Sequence, residues 1–159
     1  MYSLYVYGED LQRQGIVEDV DSLQWLSLYR HAGEVKLVCA ATDKNLELLR
    51  RGRRLWCSEQ AESAVITQIE ISDNGKKATM TVRAPLSVNR WKDRVVMGTV
   101  VVKNVETAML QMVNDNRRGL PGTTAPAAGL TPSTDSQISW NSVLTGLEEL
   151  AAAHGLGFK

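Results

Sequence analysis

The chain has 159 residues and a mass of 17.5 kDa, with 43% hydrophobic and 23% charged residues. That composition excludes intrinsic disorder and suits one sizeable core or two small ones. Eighteen basic residues balance eighteen acidic ones, so no global field draws the chain to nucleic acid or to an anionic membrane.

The segment Met1-Tyr2-Ser3-Leu4-Tyr5-Val6-Tyr7 has neither the basic start nor the long apolar stretch of a signal peptide. No run of 18 apolar residues occurs anywhere, so the expectation is a chain that is neither exported by a signal peptide nor membrane-spanning. Ser3 to Tyr7 is apolar on both faces, which predicts a strand covered on both sides or one that meets a neighbouring subunit. Period-two alternation continues through Ile16 to Val20, then Leu23, Trp25, Ser27 and Tyr29, and then Val35, Leu37 and Cys39 opposite Glu34 and Lys36. Thr42 is placed to cap a two-turn helix, Asp43 to Arg51, that would bury Leu46 and Leu49 and end at Gly52.

Asn74-Gly75 marks a hairpin, since both residues tolerate the positive φ of a tight turn matched to strand twist. It would join a strand aligning Val65, Thr67, Ile69 and Ile71 to one in which Ala78, Met80, Val82 and Ala84 alternate with Lys77, Thr79, Thr81 and Arg83, with Ile71 and Lys76 flanking the turn. Asn104 caps a second predicted helix whose Val105, Ala108, Met109, Met112 and Val113 fall on one stripe. Glu106 lies at its positive end and Arg117 and Arg118 near its negative end. Residues 119–138 have the Gly, Pro, Thr, Ala and Ser content of a loop or linker long enough to detach the C-terminal segment. Trp140, Val143, Leu144, Leu147, Leu150 and Ala151 make the stripe of a third helix stopping at Gly155.

Taken in order, these segments resemble the siphovirus tail protein family typified by the ReqiPepy phage protein, within the wider group of tail-tip hub proteins. The resemblance runs through Leu4-Tyr5-Val6-Tyr7, Gly15-Ile16-Val17, Ser22-Leu23-Gln24-Trp25, Tyr29, Gly33-Glu34-Val35 and Asn45-Leu46-Glu47-Leu48-Leu49 closing on Gly52. It continues in Ile69-Glu70-Ile71-Ser72, Arg94, Gly98-Thr99, Val105-Glu106, Ala108-Met109, Met112-Val113, Asn116, Arg118-Gly119-Leu120, Trp140 and Leu147 to Ala151, ending in Gly155-Leu156-Gly157-Phe158. No single motif is diagnostic; order and spacing carry it. The resemblance implies a hub module built from β-barrels, forming a trimer beside the distal tail protein, with no catalytic residue to transfer. Such proteins usually run on for a comparable length after the Gly155-Leu156-Gly157-Phe158 segment, whereas this sequence stops at Lys159, as a trimmed piece or a partial prophage gene would.

Catalytic chemistry has little to stand on. His31 and His154 are the two histidines and neither belongs to an HExxH pattern. A turn and a helix end account for them. The pairs Glu9-Asp10, Glu18-Asp19 and Glu148-Glu149 are adjacent in sequence and point apart on a strand or into solvent on a helix, unlike the two carboxylates a glycosidase holds across a cleft. Cys39 and Cys57 show no CxxC pattern and sit in apolar runs, where they act as reduced, packed hydrophobes. Gly155-Leu156-Gly157 ends a helix instead of opening one, the wrong end for an anion.

Two features point to contacts with other chains. One is the cluster Arg50, Arg51, Arg53 and Arg54 around Gly52, which suits a solvated turn or bidentate pairing with carboxylates, and less well phosphate. The other is Tyr5 and Tyr7 on the doubly apolar first strand. Charge adds an asymmetry: residues 1–49 carry four basic and eight acidic groups (net −4), residues 50–118 thirteen and seven (net +6), and residues 119–159 one and three (net −2). Opposed faces of this kind could help identical copies pack, although solvated faces are the plainer account.

The expected fold is α+β: a mainly antiparallel, barrel-like hub domain, partly closed over residues 1–103, with two to three helices. The expected organisation is 1–118 as a β-rich barrel domain with a packed helix, 119–138 as linker, and 139–159 as a helix and the start of a strand. The expected function is structural, in the tail tip, with no catalytic, cofactor or metal site and with copies of itself and other tail proteins as partners. A membrane or nucleic acid is not expected among them. The alternatives are a non-catalytic fragment of a tail-associated wall-degrading enzyme and a small nucleic-acid-binding module, which a zymogram and a gel shift would separate from the structural reading.

Overall fold

A computed structural model describes residues 2–120 and 124–159. The predicted linker 119–138 therefore lies partly outside the described residues, at 121–123. Two compact units are present, Met1–Leu28 with Ala32–Ser87, and Tyr29–His31 with Val88–Lys159.

The first unit is built on two four-stranded antiparallel sheets. β1 (Leu4–Tyr7), β2 (Arg13–Ile16), β5 (Arg54–Cys57) and β6 (Ser63–Val65) lie in the order β2-β1-β5-β6. β3 (Val20–Leu26), β4 (Glu34–Ala40), β7 (Gln68–Asp73) and β8 (Ala78–Pro85) lie in the order β3-β4-β8-β7. Alternation sets what is buried: Leu4, Val6, Leu55, Cys57 and Ala64 from one sheet, and Val35, Leu37, Cys39, Met80, Val82 and Ala84 from the other. β1 is thus covered on one face, with Tyr5 and Tyr7 half-buried on the other.

The predicted strand through Val65 and Ile71 is in fact two. Val65 ends β6, whose partner is β5, while Gln68 begins β7, whose partner is β8. Ile66, almost fully buried, marks the crossing, and the amide of Thr67 already donates to the Arg83 carbonyl. A single bridge, Ala64 to Leu86, joins the two sheets at this corner. No closed barrel forms among the described residues, because β2 and β6 end one sheet and β3 and β7 the other.

The hairpin at Asn74-Gly75 has a four-residue turn. Asp73 pairs with Ala78, and Ile71 lies within the ladder opposite Met80. Only Gly75 of the two central residues takes a positive φ, +77°; Asn74 acts through its side chain, which accepts from the amides of Lys76 and Lys77.

α1 (Asp43–Leu48) is capped by Thr42 Oγ1, which accepts from the Asn45 amide. It is shorter than predicted and buries Asn45 and Leu48, leaving Leu46 exposed; Leu49 is buried as the C-cap. A 3-10 turn, Ser87–Asp93, comes after β8.

In the second unit, β9 (Thr99–Asn104) runs into α2 (Val105–Asp115) with Asn104 as N-cap. β10 (Ser133–Ser139) begins inside the predicted linker, runs one residue past its end, and pairs antiparallel with β9. Its sequence, STDSQIS, offers one buried residue, Ile138, so hydrophobic alternation does not mark it. α3 (Val143–His154) is capped by Ser142 and ends on Gly155 in the left-handed conformation. Trp140, predicted on the α3 stripe, precedes the helix and is 70% exposed. One core gathers Val100, Val102, Met112, Ile138, Val143, Leu147 and Leu150, with Trp91, Leu156 and Phe158 packed against it. β9 and α2 thus share a unit with α3, whereas the sequence grouped them with residues 1–118.

Candidate functional site

The four arginines do not form one cluster. Arg53 Nη1 donates to the carbonyls of Glu47 and Leu48 at 2.9 and 2.8 Å, satisfying acceptors that the end of α1 leaves open. Arg54 extends from β5 to Ser87 Oγ at 3.3 Å. Arg50 and Arg51 are exposed, and their guanidinium groups make no hydrogen bond or ion pair among the described residues. The turn between them and Arg53 needs glycine twice over. Gly52 has φ +85°, and the Glu9 carboxylate lies where a Cβ would stand.

Tyr5 and Tyr7 face the same way as Trp56 and Arg54, because Tyr5 lies opposite Trp56 and Tyr7 opposite Arg54 in the β1–β5 ladder. The Tyr5 and Trp56 rings stack with centroids 5.6 Å apart and planes at 27°. Arg13, from β2, sits 4.8 Å above the Tyr5 ring. A Trp56-Tyr5-Arg13 row therefore crosses three neighbouring strands on the face away from the core, each contact of a kind worth about 0.5–1 kcal/mol. Trp56 Nε1 donates to the Gln60 carbonyl at 3.0 Å, so the indole is satisfied. The row presents half-buried aromatic surface with a cation at its edge, suited to contact.

Sequence reasoning missed a second surface. Among the described residues, four non-glycine residues have positive φ: Leu11, Asp19, Arg118 and Trp140. Two of them, Arg118 and Trp140, bond to the same segment of the second unit, residues 95–97. The Trp140 amide donates to the Val96 carbonyl at 3.2 Å, and the Met97 amide to Asn116 Oδ1 at 3.0 Å. Arg118 reaches back with Nη2 to the Val95 carbonyl at 3.2 Å and Nη1 to Met97 Sδ at 3.7 Å. Val95 is 42%, Met97 63% and Trp140 70% exposed. The signal was a left-handed backbone that lifts Trp140 off the helical stripe, and periodicity cannot show that.

His31 Nδ1 lies 3.2 Å from Glu148 Oε1, and the Phe158 amide donates to the Tyr29 carbonyl at 3.1 Å, so Tyr29–His31 is tied to the C-terminal part of its own unit. His154 ends α3. Cys39 and Cys57 are buried and free. Among the described residues, no group of three or more His, Cys, Asp or Glu side chains is placed to hold a metal, and no helix is long and apolar enough to cross a membrane.

The family model of the siphovirus ReqiPepy6 Gp37-like protein matches residues 3–159. No curated protein matches. Among solved structures, the chain is similar to the prophage tail protein gp18 from Listeria monocytogenes EGD-e, with 15% identity, a TM-score of 0.68, and coverage of 98% of this chain and 47% of that one. It is also similar to the tail protein from Neisseria meningitidis MC58, with 13% identity, a TM-score of 0.65, and coverage of 98% and 46%. At such identities the likeness is one of fold. The chain spans about half the length of each of these two proteins.

Proposed function

Since the chain belongs to the siphovirus ReqiPepy6 Gp37-like family, we propose that it is a structural component of a phage or prophage tail. In this reading it is a baseplate hub module at the tail tip, made in the bacterial cytoplasm and built into the virion. It assembles with copies of itself, as a trimer in the full assembly, and with other tail proteins such as the distal tail protein. The observation that carries the reading is the family match over residues 3–159, together with a fold shared with two tail proteins over 98% of the chain. It is not an enzyme in this reading. Arg53, in the one arginine-rich turn, is engaged with the last carbonyls of α1.

The contact residues proposed from the first unit are the outward Arg50 and Arg51, with Tyr5 and Tyr7 beside Arg54 on the outer sheet face. Arg53 supports the turn that presents them.

The test is particle assembly in a lysogen. Antibody raised to the chain should label one end of the tail, and disruption of its gene should leave particles without a complete tail tip. Infectious particles of normal morphology without the protein would sink the reading, and so would peptidoglycan cleavage by the purified chain that a zymogram detects.

A further inference from the structure

We infer that the exposed patch of Val95, Met97, Arg118 and Trp140 receives the β1–β2 turn of a second copy of this chain, head to tail. The inference rests on the self-assembly reading above and names the contact through which it occurs.

The patch has the makeup of a binding anchor. Trp and Arg dominate interface hot spots, and a tryptophan that exposes 70% of its surface is a large unburied apolar area. Both Arg118 and Trp140 are held in the left-handed region, at φ +41° and +55°, a conformation that disfavours side chains with a Cβ. Strain kept at exposed positions calls for a role that exposure itself serves. Arg118 engages Met97 and the Val95 carbonyl through Nη1 and Nη2, and its fork still has N–H groups to offer a carboxylate. Arg117 is its half-buried neighbour; Asp115 is the acidic residue on the same stretch.

A counterpart lies in the first unit. The turn between β1 and β2 is closed by Gly8 N to Gln12 O at 2.8 Å and Leu11 N to Gly8 O at 3.1 Å. It carries the exposed run Glu9-Asp10-Leu11. Leu11 is 48% exposed at φ +63°, a third strained non-glycine residue. Asp10 accepts from the Gln12 amide through Oδ1 and leaves Oδ2 without a partner among the described residues. The turn is an apolar knob beside carboxylates; the patch is an apolar platform beside guanidinium groups. At the contact itself the charges are opposite, with Asp10 on the turn and Arg118 at the edge of the patch. Because turn and patch are different parts of the chain, the contact is heterologous and propagates into a ring or an open string.

The experiment is sedimentation velocity of the 159-residue chain over a concentration series. The wild-type chain should associate. Trp140→Ala, Arg118→Glu and Asp10→Arg should each weaken association at least about tenfold, the loss of one anchor or one charge pair. The double variant Asp10→Arg with Arg118→Glu should regain it, since every copy then offers the reversed pair. Circular dichroism checks each fold, and Met97→Glu replaces any variant that fails to fold. Association unchanged by all of these variants overturns the contact but leaves the assembly reading standing. A chain that stays monomeric while its patch variants lose binding to a different tail protein assigns the patch to that protein and overturns the self-contact. A chain that neither associates nor binds any tail protein overturns both.

Discussion

Neighbouring residues of one type do unlike work here, and the difference is measurable. Arg53 closes the end of α1 with two charge-assisted bonds to backbone carbonyls, whereas Arg50 and Arg51 reach into solvent. Bonds from a charged donor contribute about 1.5–3 kcal/mol when well made, and Arg53 is half-exposed, so Arg53→Ala should cost about 1–2 kcal/mol. Arg50→Ala and Arg51→Ala should stay within about 0.5 kcal/mol of wild type, as surface changes do. Urea denaturation of the three variants checks this, and equal losses would sink the distinction. Cys39 gives a second residue-scale prediction. Burial first, then the charges of Asp21 and Asp19, push its thiol up to about 11 from an ordinary value of 9.0. The folded state therefore holds the neutral thiol where the unfolded chain already ionises. Cys39 contributes stability in full below pH 9, and that contribution fades as pH rises from 9 towards 11. A Cys39→Ser or Cys39→Ala chain should lose less stability than wild type between about pH 8.5 and about 10.5, and the native thiol should resist alkylation at about pH 8 until the protein unfolds.

At the scale of elements, glycine positions separate two kinds of constraint. Gly75 sits at φ +77° with open space around it, so Gly75→Ala should cost about 1 kcal/mol of conformational strain alone. A Cβ on Gly33 would instead collide with the Leu26 carbonyl, which is backbone and cannot swing aside. Gly33→Ala should therefore cost several times as much, on the order of 3 kcal/mol or more, and comparable melting temperatures for the two variants would refute the argument. Glu106, in the first turn of α2, accepts from the amides of Ala128 and Leu130. Those bonds hold its carboxyl below the usual carboxylate range. The contribution is present above the ordinary carboxylate pKa and is lost as pH falls through the lowered value. Glu106→Ala should speed amide exchange at Ala128 and Leu130 at neutral pH, with no change at Met80. Legibility in the sequence divides along the same line between local and distant causes. Caps at Thr42, Asn104 and Gly155 were readable because one side chain or one missing Cβ decides each locally. The alternation of β4 and β8 was readable because one face of each is buried. β10 and the break at Ile66 were not, since a polar strand and a change of sheet are fixed by partners distant in the chain. The arginine run was visible as charge, but its split into structural and exposed members depends on where α1 stops, and the Trp140 patch depends on a left-handed backbone that no periodicity reveals.

For the molecule as a whole, the distribution of charge constrains how copies can meet. Net charge is zero and the isoelectric point about 6.7, so identical copies feel little mutual repulsion near neutral pH. In the proposed self-contact, two terms with opposite salt dependence act. Pairs such as Arg118 with Asp10 weaken as the Debye length shrinks from about 10 Å at 0.1 M to about 3 Å at 1 M salt. Burial of Trp140, Met97 and Leu11 is insensitive to screening and is strengthened by excluded salts such as sulfate. The prediction is that self-association of the chain weakens several-fold between about 0.1 M and 1 M sodium chloride without vanishing, and that the Arg118→Glu chain has lost this dependence along with most of its affinity. Sedimentation across the salt series reads both effects. Association that strengthens steadily with sodium chloride would mean an apolar contact with no charge pairing, and the head-to-tail geometry, which depends on the acidic turn meeting the basic rim, would have to be given up.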